Sequence, residues 1–97
     1  MHVIAQKALR DCWDKHPNSE VPLRGWYRLA KQARWAKFAD VRETFRDANM
    51  VDDRVVFNVS GGRYRLIARI DFRRERLYVR AVLTHAEYDR DDWKRKL

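Results

Sequence analysis

The sequence has little of what stabilises or anchors many small proteins, and each scarcity excludes a class of structure. Its single cysteine, Cys12, excludes an internal disulfide. Cys12 lies among apolar residues, which predicts a buried, unreactive thiol. No apolar run approaches the roughly 20 residues that a membrane-spanning helix requires, and no segment resembles a secretory signal. We therefore expect a cytoplasmic protein whose fold depends on its apolar core.

Length and composition predict one domain with a modest core. The 97 residues leave no room for a second domain, so we interpret residues 1–97 as one unit. Hydrophobic residues make up 45% of the chain and include four Trp, four Tyr and four Phe. That supply suffices for a single core without metal or disulfides.

Negative charge is also scarce, since 22 Lys and Arg residues face 14 Asp and Glu residues, for a formal charge of +8. A positive field favours a polyanion, either nucleic acid or an acidic protein. From Arg54 to Arg80 the chain has eight Arg and no Lys, opposed by Asp71 and Glu75 alone. Because Arg binds phosphate through a planar fork whereas Lys serves solubility equally well, this stretch predicts phosphate binding.

The first half of the chain has the periodicity of helices. Residues 1–4 are compatible with a first strand, and apolar residues at three- and four-residue steps predict helices over 5–16 and 19–33. Pro17 ends the first helix, and Ser19 is expected to cap the second. The two helices are interpreted as an antiparallel hairpin, with Trp13 and Trp26 on their core stripes.

A third, short helix is predicted where Asp40 and Glu43 have the spacing of a capping box. From residue 54 onward the period changes from 3.6 to 2, which predicts strands joined by turns at 60–62 and 72–76. On the last strand the apolar positions are Leu77, Val79, Ala81 and Leu83, alternating with Tyr78, Arg80 and Val82. Consecutive strands on short loops form an antiparallel meander, so the predicted fold class is α+β.

The alternation also predicts a polar face on the side of the sheet away from the helices. If Phe57, Leu66 and Val79 pack against the helices, the opposite side carries what we call the Arg face: Asn58, Arg63, Arg65, Arg69, Tyr78 and Arg80. Neighbouring Arg side chains repel one another unless an anion lies between them, which favours an anion-binding surface. The alternative is a face that is simply solvated.

Directly after the last strand, four side chains able to move or hold a proton fall within five residues: His85, Glu87, Tyr88 and Asp89. Cleavage of RNA by its own 2′-hydroxyl needs a base, an acid and cations beside the phosphate. Because imidazole exchanges protons near neutral pH, this cluster beside the Arg residues could supply all three without a metal. Taken singly, each residue is more often structural, and the acids could lie on a solvated helix face or pair with the strand Arg residues.

The sequence gives little support for a metal site or for a phosphate-binding loop. His2, His16 and His85 are scattered, and one Cys provides no ligand pair, so we predict neither a metal site nor a cofactor. Gly61 and Gly62 lack the following Lys and Ser or Thr of a phosphate-binding loop, which leaves the interpretation of a hairpin turn.

The ordered set of these motifs resembles the HigB family of RelE-like toxins. The resemblance is carried by Val55-Val56-Phe57-Asn58-Val59, Gly61-Gly62, Arg63-Tyr64-Arg65-Leu66 and Thr84-His85-Ala86-Glu87-Tyr88-Asp89. His16-Pro17, Trp26-Tyr27 and Trp35 agree with it in the first half, while Val59-Ser60 stands where the family often has Ile-Gly. The resemblance implies a RelE-like fold, with an N-terminal helical hairpin packed on a small antiparallel sheet and a short C-terminal helical segment.

The same resemblance implies a metal-independent, ribosome-dependent endoribonuclease that cuts translated mRNA. It also implies inhibition by a helix-turn-helix, HigA-like antitoxin, through which alone the toxin reaches operator DNA. The residues it implies for catalysis are His85 and Tyr88 in proton transfer, with Arg65 and Arg69 at the phosphate. It also implies RNA contacts by Arg63, Arg80, Asn58 and Tyr78, and it implies that Glu87 supports the acid–base chemistry.

Two other functions are compatible with the residues. ParE-like toxins, which have the same fold, poison DNA gyrase by binding and need no nuclease chemistry, and fold alone does not distinguish the two. A non-catalytic module that binds RNA or the ribosome would need only the Arg and aromatic side chains.

Overall fold

The computed structural model describes all 97 residues apart from the side chain of Gln6. Helices and strands follow the two periodicities of the sequence, with the helices grouped first and the main strands after them. The helices are α1 (Gln6–Lys15), α2 (Glu20–Gln32), α3 (Phe38–Thr44), α4 (His85–Asp89) and α5 (Trp93–Lys96). The strands are β1 (His2–Ile4), β2 (Asn49–Val51), β3 (Arg54–Val59), β4 (Tyr64–Asp71) and β5 (Arg76–Thr84).

The helical hairpin forms as predicted, but Ser19 does not cap its second helix. A 3₁₀ turn over Pro17–Ser19 leads directly into α2, so the backbone of Ser19 is already helical, at φ −83° and ψ −13°. Its buried hydroxyl donates instead to the backbone carbonyl of His16, at 2.7 Å. The hydroxyl therefore fastens the turn between the helices rather than the first turn of α2.

The third helix is also present, although the capping box predicted for it is wrong. Helix α3 begins at Phe38, two residues before Asp40, and no side chain caps it. The Asp40 carboxylate instead accepts the backbone N–H of Ala36 at 2.8 Å. A capping box does occur at α4, where Thr84 and Glu87 satisfy one another's backbone N–H groups.

The sheet has five strands in the order β1-β5-β4-β3-β2, so the α+β class is confirmed. The expectation of a purely antiparallel sheet is wrong, because β1 pairs in parallel with β5. The other pairings are antiparallel, and they contain the predicted meander of β3, β4 and β5. No helix among the described residues is long and apolar enough to cross a membrane.

A β-bulge in β5 changes which residues face the helices. Ala68 is paired with Val79, but its neighbour Ile67 is paired with Ala81, so Arg80 is the extra residue of β5. Beyond the bulge the two faces exchange. Val82 packs with the helices, whereas Ala81 and Leu83 lie on the opposite face, so their predicted sides are wrong.

The core accordingly has two parts. The larger part lies between the helices and the sheet, around Trp26, Trp35, Phe57, Leu66 and Leu77. Cys12 is buried there, as predicted, and burial raises the pKa of its thiol against the opposing effect of a hydrogen bond with Ser19. The smaller part lies on the other side of the sheet, where Trp93 packs on Val56 and Ile67.

Candidate active site

The C-terminal segment, residues 85–97, folds back over the middle of the sheet face that was predicted to be open. Val56 and Ile67 place apolar side chains in the centre of this face, and Trp93, Tyr88 and Leu97 pack on them. Covering them removes apolar surface from water, which explains why the segment returns to the sheet. The Arg face is therefore not one continuous surface.

One part of the Arg face lies at the end of the sheet where β4 begins. Asn58 and Arg65 are opposite one another on β3 and β4, which places their side chains on the same face. The backbone N–H of His85 donates to the carbonyl of Arg63 at 3.1 Å, which joins the start of α4 to this end of the sheet. We refer to Asn58, Arg63, Arg65, His85, Tyr88 and Asp89 as the His85 cluster.

The other part of the Arg face lies further along β4. Arg69 is opposite Tyr78, and its Nη1 lies 2.7 Å from a carboxylate oxygen of Asp53. Since a strand rises about 3.3 Å per residue, Arg69 is about 13 Å along β4 from Arg65. Arg80 is exposed on the bulge of β5. Arg65 and Arg69, which were both assigned to catalysis, are thus not brought together.

Asp89 orients the candidate catalytic imidazole, a role that the sequence analysis did not assign. His85 is the first residue of α4 and Asp89 lies one turn later, so their side chains meet on one side of the helix. Nδ1 of His85 is 2.8 Å from a carboxylate oxygen of Asp89, and both side chains are more than half exposed. This contact occupies Nδ1 and leaves Nε2 free to exchange a proton.

Tyr88 is half-buried between a cation and a second aromatic ring. The guanidinium of Arg65 lies 5.4 Å from the centre of the Tyr88 ring, and the Trp93 ring is stacked 5.2 Å away at an interplanar angle of 20°. Cation–π attraction and stacking both fix the ring. Tyr88 therefore occupies a defined position next to Arg65.

Arg65 is held in turn by the β3–β4 turn. Its Nη1 donates to the carbonyl of Gly62 at 2.9 Å. Gly62 has a φ of +90°, and a Cβ at this position would lie 2.8 Å from Nη1 of Arg65. The positive φ favours glycine at position 62, and any larger residue there would also force the Arg65 guanidinium to move.

Glu87 has a structural role that argues against proton donation. Its carboxylate accepts the backbone N–H of Thr84 at 2.9 Å, and this hydrogen bond is the main reason why the pKa of Glu87 lies below its ordinary value. Burial opposes the shift, while the Thr84 hydroxyl and the charges of Arg90 and Lys15 support it. A group that stays ionised at neutral pH is a poor acid for a leaving oxygen.

The remaining acids of the C-terminal segment do not neutralise the strand Arg residues. Asp91 pairs with Lys94 at 3.3 Å, while Asp52 and Asp53, in the turn before β3, contact Arg54 and Arg69. Among the described side chains, no group of three or more His, Cys, Asp or Glu residues could hold a metal ion. Arg65 is therefore not paired with an acid of this segment, and its guanidinium lies next to the Tyr88 ring.

Comparisons with known proteins show which family the chain resembles. A family model described as HigB_toxin, the RelE-like toxic component of a toxin–antitoxin system, matches residues 19–91, which include the whole His85 cluster. The chain is 33% identical over 92 residues to the "mRNA interferase toxin HigB" of Escherichia coli strain K12, covering 92% of this chain and 88% of that protein. The "mRNA interferase HigB" of Shigella flexneri gives the same values. The protein of that name from Escherichia coli O6:H1 strain CFT073 is 31% identical over 93 residues, covering 93% and 90%.

Proposed function

The chain belongs to the HigB family of RelE-like toxins of toxin–antitoxin systems, and from that premise we propose that it is an mRNA interferase, an endoribonuclease that cuts messenger RNA. The observation that carries the proposal is the His85–Asp89 pair of α4, with the Arg65 guanidinium next to Tyr88 of the same helix. This arrangement combines a group for proton transfer with a cation for the phosphate.

In the proposed reaction the 2′-hydroxyl oxygen of the RNA attacks the adjacent phosphorus, and the bond from phosphorus to the 5′-oxygen breaks. The proton leaves the 2′-hydroxyl and a proton is delivered to the departing 5′-oxygen, so the products are a 2′,3′-cyclic phosphate and a 5′-hydroxyl. His85 and Tyr88 share the two proton transfers, and Arg65 stabilises the charge on the phosphate. None of these steps requires a metal ion.

The separated part of the Arg face suits a different task. Arg69 is partly neutralised by Asp53, and it lies about 13 Å along the strand from Arg65, a distance that exceeds one phosphate group. We propose that Arg69, Tyr78 and Arg80 hold the RNA away from the scissile bond, whereas Arg63, Arg65 and Asn58 act beside it. Arg69 accordingly moves from the catalytic set to the RNA-binding set.

We propose the ribosome as the site of action, because messenger RNA is presented there in single-stranded form. A cytoplasmic location follows from this target. The experiment is to incubate the purified protein with translating ribosomes and map the mRNA ends. New 5′-hydroxyl ends are expected. Intact mRNA together with loss of the supercoiling activity of DNA gyrase would favour a ParE-like function. Tight ribosome binding without cleavage would favour a non-catalytic module.

An antitoxin partner follows from the family, and we propose that it is a helix-turn-helix, HigA-like protein that carries the toxin to operator DNA. The Arg face should attract an acidic segment of such a partner. A competing surface is the groove of about 450 Å³ between α1 and α2, whose lining is apolar or basic: Leu9, Arg10, Trp13, Arg24, Tyr27, Arg28 and Lys31. Crosslinks from the antitoxin to the Arg face are expected, whereas crosslinks confined to this groove would count against it.

A further inference from the structure

Trp93 contacts Tyr88 in two ways, and neither contact involves the phenol hydroxyl. The two rings stack at 5.2 Å, and the indole Nε1–H of Trp93 donates to the backbone carbonyl of Tyr88 at 2.9 Å. The first contact fixes the plane of the phenol ring, and the second fixes the backbone from which the ring projects. Both the position and the orientation of Tyr88 thus depend on Trp93.

Trp93 is itself immobilised from the sheet side. It is 3% exposed and packs on Val56 and Ile67, the apolar centre of this face. A ring enclosed in this way has few alternative rotamers. Trp93 therefore attaches the C-terminal segment to the centre of the sheet face.

Arg54 completes the attachment, although it lies on the face where Arg residues were predicted to bind RNA. It is 8% exposed, and its guanidinium lies 5.6 Å from the centre of the Trp93 ring. The same guanidinium donates to the backbone carbonyl of Lys94 within α5 and to that of Leu97 directly after it. A buried guanidinium needs such acceptors, so the charge of Arg54 is used to hold α5 and is not presented to RNA.

These contacts form an uninterrupted series from Arg54 through Trp93 and Tyr88 to Arg65. We infer that Trp93, held by Arg54, is a positioning residue that places the Tyr88 ring beside Arg65 for RNA cleavage. The inference rests on the proposed function for its catalytic consequence. Its structural part, the dependence of Tyr88 on Trp93, stands separately and can be measured without any substrate.

The test is the substitution Trp93→Leu, which keeps apolar volume but removes the ring and its N–H. Trp35→Leu is the matched control, because Trp35 is also 3% exposed, stacks with Phe57 and donates its N–H, in this case to Thr44, on the other side of the sheet. Both variants should lose stability. Only Trp93→Leu should remove the NOEs between the Tyr88 ring and the Arg65 side chain, with Tyr88 assigned through Tyr88→Phe in protein labelled at tyrosine and arginine.

Single-turnover cleavage, measured with saturating ribosome-bound mRNA at a temperature where all variants are folded, supplies the second readout. Trp93→Leu should slow cleavage by up to about a hundredfold, as a misplaced reacting group does. Trp93→Phe, which keeps the stacked ring, should recover part of the rate. In a Tyr88→Phe background, Trp93→Leu should slow cleavage much less, because the group that it positions has already been disabled.

The outcomes separate the inference from the proposed function. NOEs between Tyr88 and Arg65 that persist in Trp93→Leu would overturn the inference, and so would their loss with a normal cleavage rate. Equal slowing by Trp93→Leu and Trp35→Leu would also overturn it, since a general loss of stability would then suffice. Absence of cleavage by the unsubstituted protein would instead be a failure of the proposed function.

Discussion

Asp89 holds the imidazole of His85 by a contact of 2.8 Å between its carboxylate oxygen and Nδ1, across one turn of α4. The pair lies at the end of β5, where the capping box formed by Thr84 and Glu87 starts the helix. Because this contact occupies Nδ1, the free Nε2 is the atom that can reach an RNA hydroxyl.

Asp89→Asn should slow cleavage, but by less than the roughly hundredfold or greater loss expected for removing His85. The amide can still hydrogen-bond to the ring, yet it no longer stabilises the positively charged imidazole. The measurement is the single-turnover cleavage rate on ribosomes. Asp92→Asn, an exposed substitution of the same kind three residues later, is the control and should leave the rate unchanged. A normal rate for Asp89→Asn would show that the pair is only structural.

The Arg face should contribute to binding through phosphate contacts. Arg65→Ala, Arg69→Ala and Arg80→Ala should each weaken RNA or ribosome binding and reduce the slope of log affinity against log salt by about one. Asp53→Asn should have the opposite effect, because it releases Arg69 from its 2.7 Å contact. The expected gain in affinity is about two- to fivefold, as an exposed ion pair allows.

Asp47→Asn makes the same charge change in the segment before β2 and serves as the control for the Asp53 substitution. An unchanged salt slope in all three Arg variants would contradict phosphate binding by the Arg face. If Asp53→Asn and Asp47→Asn had equal effects, net charge alone would explain the gain.

The two glycines of the β3–β4 turn separate backbone strain from the placement of Arg65. Gly61→Ala and Gly62→Ala both force a side chain onto a left-handed backbone, at φ +65° and +90°, and should each cost about 1–3 kcal/mol of stability. Only Gly62→Ala also displaces the Arg65 guanidinium, which its Cβ would meet at 2.8 Å. RNA affinity should therefore fall in Gly62→Ala beyond any change in Gly61→Ala, when both are measured on folded protein. Equal affinities would contradict this placement of Arg65.

Glu87 should make α4 sensitive to acid. Its folded pKa lies below the ordinary value of 4.5, so its charge stabilises the fold above that pH, and the contribution is lost as pH falls through the folded pKa. Near neutral pH the wild-type protein should have a higher melting temperature than Glu87→Gln, and this difference should disappear below pH 4.5. Glu43→Gln, which removes one exposed carboxylate from α3, is the control. A difference in melting temperature that does not change with pH would contradict the role of the ionised Glu87 carboxylate.

Most of the fold could be predicted because its elements are encoded locally. The 3.6- and 2-residue periods locate α1, α2 and the meander, and Pro17 and the Gly61–Gly62 turn place their boundaries. The parallel pairing of β1 with β5 joins residues that are more than 70 positions apart, such as Val3 and Leu77. No local pattern specifies such a pairing, so the mixed sheet could not be predicted.

The site was predicted in its residue types more than in its arrangement. His85, Tyr88 and Arg65 do lie together, because the motif after β5 and the start of β4 meet at one end of the sheet. In the sequence, apolar and polar residues alternate through Arg80 without a break. In the structure, the bulge at Arg80 exchanges the two faces of β5 beyond it. The burial of Trp93 could not be foreseen either, since its partners Val56 and Ile67 occupy positions that the alternation assigns to a polar face.

We propose that His85 and Tyr88 transfer the protons in RNA cleavage. The most direct test is the single-turnover rate of mRNA cleavage on ribosomes for His85→Ala and Tyr88→Phe, with ribosome affinity and melting temperature measured on the same samples. Each variant should cut about a hundredfold or more slowly while binding the ribosome and melting almost as wild type does, and His2→Ala should cut normally. Full cleavage rates in both folded variants would contradict the claim and leave the Arg residues to act by positioning and charge alone.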